Sequence, residues 1–114
     1  ACRAKLGARI LPVDGTQRPQ GVSSSAIVVN TTSLGMKGQA DFTLDLTGLQ
    51  PGTIATDLIY NPIMTGFLRE AERHGARIVD GLGMLLHQAA PGFERWFGQR
   101  PEVDEDLRKA VLAA

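Results

Sequence analysis

The sequence predicts an α/β fold, a mostly parallel sheet with helices that amounts to half of a doubly wound domain. Three observations point there. Short β-rich runs alternate with helical ones, the pattern of βαβ units. Ala26-Ile27-Val28-Val29 is wholly apolar, of strand length and bounded by turn residues, as in a strand buried on both faces. The strands are few and no first βα unit precedes them, so apolar edge and face surface should stay uncovered.

Taken in order, Ala1–Leu6 reads as the end of a helix stopped by Gly7. Arg9–Val13 is expected to form a first strand, moved toward a sheet edge by Pro12. The polar stretch Asp14–Ser25 is a loop or a poorly formed helix. After the strand Ala26–Val29, Asn30-Thr31-Thr32-Ser33-Leu34-Gly35-Met36 is a loop whose side chains can bond their own backbone. A stretch of low periodicity follows, closed by the turn Gln50-Pro51-Gly52. Thr53–Tyr60 is the next strand, and Asn61-Pro62 breaks it because proline cannot donate to a ladder. Thr65–His74 is an amphipathic helix with Phe67, Leu68 and Ala71 on one face and Gly75 as its cap. Ala76–Asp80 is a last short strand. Leu82–Phe97 is a long helical segment, bent or broken at Pro91-Gly92. Asp104–Leu112 closes the chain as a helix, acidic at its start and with Leu107, Ala110 and Val111 as a docking stripe.

Composition narrows the function classes. The 114 residues include 12 basic and 12 acidic side chains, a net charge of zero, which gives no reason to expect nucleic acid or an anionic membrane as partner. Hydrophobic content of 43% and charged content of 21% suit a soluble globular chain. No apolar run approaches the roughly 18 residues of a membrane span. The single cysteine, Cys2, allows no internal disulfide and suits a reducing, cytoplasmic setting. The start, Ala1-Cys2-Arg3, has neither an initiator Met nor a signal-peptide core, so a cut or processed chain is expected.

Open α/β sheets bind ligands beyond the carboxyl ends of their strands, where Asn30–Met36, Asp57–Tyr60 and Asp80–Gln88 all fall. Strand alternation puts Leu58 and Tyr60 on one face about 7 Å apart, an apolar residue beside a phenol that can flank a flat ring. The plainer alternative is a core leucine and a tyrosine at the sheet rim. In Gly81-Leu82-Gly83-Met84-Leu85-Leu86-His87-Gln88, the glycines allow close approach of another group. Met84 and Gln88 share a helix face with a rise of about 6 Å, a thioether beside a two-way hydrogen-bonder. They can equally be a core methionine and a solvated glutamine. His74 and His87 read as surface residues, and neither has metal-ligand spacing, so no metal is expected. No glycine-rich dinucleotide fingerprint is present.

Three strings resemble the shikimate dehydrogenase family in order and spacing. They are Val29-Asn30-Thr31-Thr32-Ser33-Leu34-Gly35-Met36; Asp57-Leu58-Ile59-Tyr60-Asn61-Pro62 with Thr65 and Leu68 beyond; and Asp80-Gly81-Leu82-Gly83-Met84-Leu85-Leu86-His87-Gln88-Ala89 with Phe93 and Trp96 beyond. The resemblance covers residues 26 to 112, while residues 1 to 25 agree only in outline. It implies a partial Rossmann-like (three-layer α/β/α) NADP-binding domain. Residues 1–114 would be its C-terminal portion, with 26–80 the sheet and crossover region and 81–114 the closing helices. The N-terminal substrate domain would be absent.

For the intact enzyme the resemblance implies reversible, NADPH-dependent reduction of 3-dehydroshikimate to shikimate, on the route to chorismate and the aromatic amino acids. Thr32, Leu58, Gly81 and Met84 would contact the cofactor; many relatives have Met in place of Leu58. Tyr60 and Gln88 would hydrogen-bond the substrate. The family's catalytic Lys and Asp, its substrate-binding serines and its phosphate loop match nothing here, so no catalytic residue is assigned, and Lys5, Lys37 and Lys109 are not stand-ins. The chain alone is expected to be inactive. Its partners would be small molecules, in a monomer or homodimer. Two other readings stay open: a quinate/shikimate dehydrogenase using NAD, and a non-catalytic binding module that keeps half a Rossmann domain.

Overall fold

The computed structural model describes residues 10–114 together with Ala4 and Gly7. Most of the helix expected before Gly7, and Cys2 with it, lies outside the described residues. Gly7 has a φ of +73°, as a left-handed cap requires.

The first strand expected over Arg9–Val13 does not form across its described part, residues 10–13. Pro12 has no N–H to donate and no strand among the described residues lies alongside; Leu11 and Val13 are exposed. The polar stretch after it is more ordered than its composition suggests. Asp14 caps a 3₁₀ turn over Gly15–Gln17 by accepting from the Thr16 backbone N–H at 2.9 Å, and helix α1 (Arg18–Ser23) follows with Pro19 in its first turn.

Strands β1 (Ile27–Asn30), β2 (Ile54–Asp57) and β3 (Arg77–Val79) form one sheet in that order, parallel throughout. Helix α2 (Gly66–Arg73) links β2 to β3; α3 (Gly81–Phe97) and α4 (Glu105–Ala113) follow the sheet. Between β1 and β2 the chain crosses over without a helix. It is pinned by Phe42, Leu44, Leu46 and Leu49 and ends in the turn in which the Thr53 N–H donates to the Gln50 carbonyl at 3.1 Å.

Register places Val28, Ala55 and Ile78 in one row across the sheet. That row packs against Val22 of α1, the crossover leucines, and Phe67, Leu68 and Ala71 of α2. Phe42 meets Phe67 edge-on, with centroids 5.5 Å apart. Helix α2 is the element that the apolar spacing specified best: its three expected core residues are all buried, and Thr65 caps it through the Leu68 N–H.

The alternate row is uncovered. Ile27 is 55% exposed, Val29 45% and Val79 51%. The expectation that Ala26–Val29 is buried on both faces is therefore corrected to burial on one. The elements that form the core with the sheet, α1, the crossover and α2, lie against the other face.

Two further boundaries differ from expectation. Strand β2 stops at Asp57 rather than Tyr60, because the Asp57 carboxylate accepts the Ile59 N–H at 3.0 Å and turns the chain out of the ladder. The Asn61–Pro62 bond beyond it is cis. Helix α3 runs unbroken through Pro91, with Leu82, Leu86 and Ala90 buried along one side and Gly98 closing it at φ +71°. Pro91 removes one backbone donor, and the buried stripe carries the helix past it.

Candidate functional site

All three strands end at the same edge of the sheet, and the segments leaving them meet there. Asn30 and Asp57 are the final residues of β1 and β2, paired in register and 2% and 0% exposed. The Asn30 side-chain amide donates to both carboxylate oxygens of Asp57 at 3.2 Å and to the Leu34 carbonyl. Its own oxygen accepts from the backbone N–H of Thr32 at 3.0 Å and from the Thr32 hydroxyl at 2.8 Å. Asp57 also accepts the Thr65 hydroxyl at 2.8 Å and the Ile59 N–H. One buried polar cluster thus fixes the loop after β1, the loop after β2 and the start of α2. No side-chain polar atom is left buried and unpaired among the described residues.

Above this cluster lies a hollow of about 600 Å³, lined among others by Thr31, Thr32, Ser33, Lys37, Leu58 and Tyr60. Hydroxyl-bearing residues and one lysine share its lining with the apolar Leu58, Ile59 and Met36. Thr32, Leu58 and Tyr60, separated in sequence, share this hollow even though β2 ends before the last two. The Lys37 N–H donates to the Asn61 carbonyl at 3.0 Å and ties the two rims together.

Gly81 opens α3 against the same loop. A Cβ there would stand 2.5 Å from the Ile59 carbonyl oxygen and 2.7 Å from that of Leu58. The close approach anticipated for these glycines is therefore made at Gly81 by the chain's own backbone. Gly83 has open space. Met84 is 38% exposed, and Gln88, a turn further along α3, is exposed as well. Neither lines the hollow with Tyr60.

Tyr60, 48% exposed, also borders a second hollow of about 370 Å³, whose walls include Leu82 and Leu85 of α3 and Val111 and Leu112 of α4. Asp80 holds these helices together. It caps α3 by accepting the Leu82 N–H at 3.0 Å, and it receives both ends of the Arg108 guanidinium, at 2.5 and 3.3 Å. Partial burial opposes ionisation of Asp80, but the Arg108 and backbone hydrogen bonds outweigh it, so its pKa falls below the ordinary carboxylate value. His74 is half-buried, not a free surface group, with its Nε2 3.2 Å from Glu70 Oε1. His87 is exposed.

The model of a protein family described as Shikimate 5'-dehydrogenase C-terminal domain matches residues 81–112. The shikimate dehydrogenase (NADP(+)) of Paracoccus denitrificans is 57% identical over 111 residues, 97% of this chain. The chain belongs to the shikimate dehydrogenase family. It spans about two fifths of the length of the curated relatives it matches, 39% in the Paracoccus case.

Two solved structures carry the likeness into three dimensions. Quinate dehydrogenase from Corynebacterium glutamicum, in complex with NAD, superposes with a TM-score of 0.80 at 29% identity, covering 91% of this chain and 36% of that one. Shikimate 5-dehydrogenase from Listeria monocytogenes, in complex with shikimate and NAD, gives 0.72 at 36% identity, covering 87% and 34%. The architecture is that of the shikimate and quinate dehydrogenases, an α/β fold of Rossmann type built on a parallel sheet.

Sequence reasoning passed over the Asn30–Asp57–Thr65 cluster and the Asp80–Arg108 pair. Only part of a signal for the first was present: Asn30 closes the apolar run Ala26–Val29, whereas Asp57 lies inside the strand expected over Thr53–Tyr60. The second joins residues 28 apart and has no local signature.

Proposed function

We propose that this chain is the C-terminal part of the cofactor-binding domain of an NADP-dependent shikimate dehydrogenase. In this reading residues 26–80 form the sheet and crossover region, and residues 81–114 the closing helices. The whole enzyme reduces 3-dehydroshikimate reversibly to shikimate, within the route to chorismate and the aromatic amino acids. The carrying observation is the 57% identity to a named NADP(+) shikimate dehydrogenase, in an alignment that covers 97% of this chain, with the three motif segments gathered at one sheet edge.

The residues present fit one end of a nicotinamide dinucleotide. The hollow beside Thr32 and Leu58 brings hydroxyl-bearing and apolar residues together and is ample for a flat ring. Gly81 lets the start of α3 press against that wall. Thr32, Leu58, Gly81 and Met84 are the cofactor-side residues, and Tyr60 and Gln88 hydrogen-bond the hydroxylated ring of the substrate. The support for Met84 and Gln88 is their motif position. When bound, the dinucleotide supplies or accepts the hydride; these residues orient the two rings and exclude water. No residue here is assigned to proton transfer, and the Lys and Asp that do so in the family belong to the rest of the enzyme. The protein works in the cytoplasm, as a monomer or homodimer.

A second reading, quinate/shikimate dehydrogenase using NAD, is favoured by one observation, the higher TM-score to the quinate enzyme bound to NAD. The test is a dinucleotide-linked assay on the full-length protein with shikimate and quinate, each with NADP and with NAD. The proposal expects the highest kcat/KM for shikimate with NADP; preference for quinate with NAD would replace it by the second reading. Gln88→Ala is expected to raise the shikimate KM about 10-fold, since it strands a paired polar group of the substrate. Tyr60→Phe should raise KM more for shikimate than for NADP, and equal effects on both would point to a structural role instead.

A further inference from the structure

We infer that Arg108 is a positioning residue: through its two-pronged pairing with Asp80 it holds α4 in place, so that Val111 and Leu112 form the far wall of the hollow beside Tyr60. The inference rests on the reading of Tyr60 as a substrate contact.

Three observations carry it. Arg108 meets Asp80 with both guanidinium nitrogens, at 2.5 and 3.3 Å, and both side chains are only 25% exposed. A two-point contact of that kind fixes direction as well as distance. Helix α4 has little else to hold it, for none of its residues is fully buried and Ala110 and Val111 of its apolar stripe are exposed. Yet Val111 and Leu112, one turn beyond Arg108, line the same hollow as Tyr60 and Leu82.

Asp80 has two separable duties. It anchors Arg108, and it caps α3 through the Leu82 N–H, next to the Gly81 contact with the Leu58–Ile59 backbone. Removing Arg108 leaves the cap intact and frees only α4. Replacing Asp80 with Asn keeps a good cap and removes the charge; replacing it with Ala removes both.

This separation makes the test specific. In the full-length protein, Arg108→Ala and Asp80→Asn should each raise the KM for shikimate about 5-fold while the KM for NADP stays unchanged, and the double variant should be no worse than either single. Asp80→Ala should raise both KM values. Arg108→Lys, which keeps the charge but loses the fork, should recover part of the loss. Hydrogen exchange on the same proteins reads the cause: Arg108→Ala should speed exchange at the Leu107–Ala113 amides and leave the first turns of α3 protected. Unchanged α4 exchange, or equal rises in both KM values for Arg108→Ala, would overturn the inference. Absence of any turnover of shikimate by the unmodified protein would instead defeat the proposed function, while the exchange pattern would still decide whether Arg108 anchors α4.

Discussion

A methyl group at position 81 would collide with two backbone carbonyls that belong to a loop fixed elsewhere. Backbone cannot swing aside as a side chain can, so Gly81→Ala should cost about 1–3 kcal/mol in urea unfolding. Gly83→Ala is the matched control: it has open space inside the same helix and should stabilise by about 0.5–1 kcal/mol. Asp57 carries the other large residue-scale effect. It is fully buried and accepts from Asn30, Thr65 and the Ile59 N–H, so Asp57→Ala leaves three donors unmet and should cost about 3 kcal/mol by the same measurement. The sequence made half of this legible. A glycine just after a strand announced a close approach at Gly81, but not which atoms approach. Asn30 could be seen as a loop starter, whereas Asp57 read as interior to a strand, and only the register brings them side by side.

At the scale of elements, local chemistry was the reliable guide and tertiary context the corrector. Helix α2 was legible because its apolar spacing and its stop at Gly75 agree, and the structure adds Thr65 as its cap. Strand β2 read too long because Leu58-Ile59-Tyr60 has strand composition, whereas the Asp57 carboxylate ends the ladder. Pro91 read as a break because its local effect is unfavourable, whereas the buried side of α3 holds the helix together. Helix α4 was anticipated from its charge pattern, and its attachment has a pH signature. The folded-state pKa of Asp80 is depressed, so its contribution is complete above the ordinary aspartate value of about 3.9 and is lost as pH falls through the lower folded value. Protection of the Leu107–Ala113 amides should therefore be flat near neutrality and decline on acidification below about pH 4. In Asp80→Asn it should already be low at neutral pH and change little across that range.

For the whole molecule, a sheet of three strands with α1 and α2 on one side leaves an apolar face that has to meet something. The polypeptide of residues 1–114 on its own should associate with rising concentration in sedimentation experiments, and Val29→Lys on the open face should reduce that association. An α/β fold on a parallel sheet was legible from the alternation of elements; which strand faces would stay open was not, because burial on one face or two depends on parts of the fold that an apolar run does not name. The route by which the sheet assembles follows from its two crossovers. Strands β2 and β3 are joined by α2, a helix with its own cap and apolar stripe, so these three elements can form a local nucleus early. Pairing of β1 with β2 must instead close a long irregular loop whose ordering yields few contacts until the core leucines are seated. The β1 edge should thus zip last and fray first, and the pocket rim built on Asn30 and Thr32 inherits that late arrival.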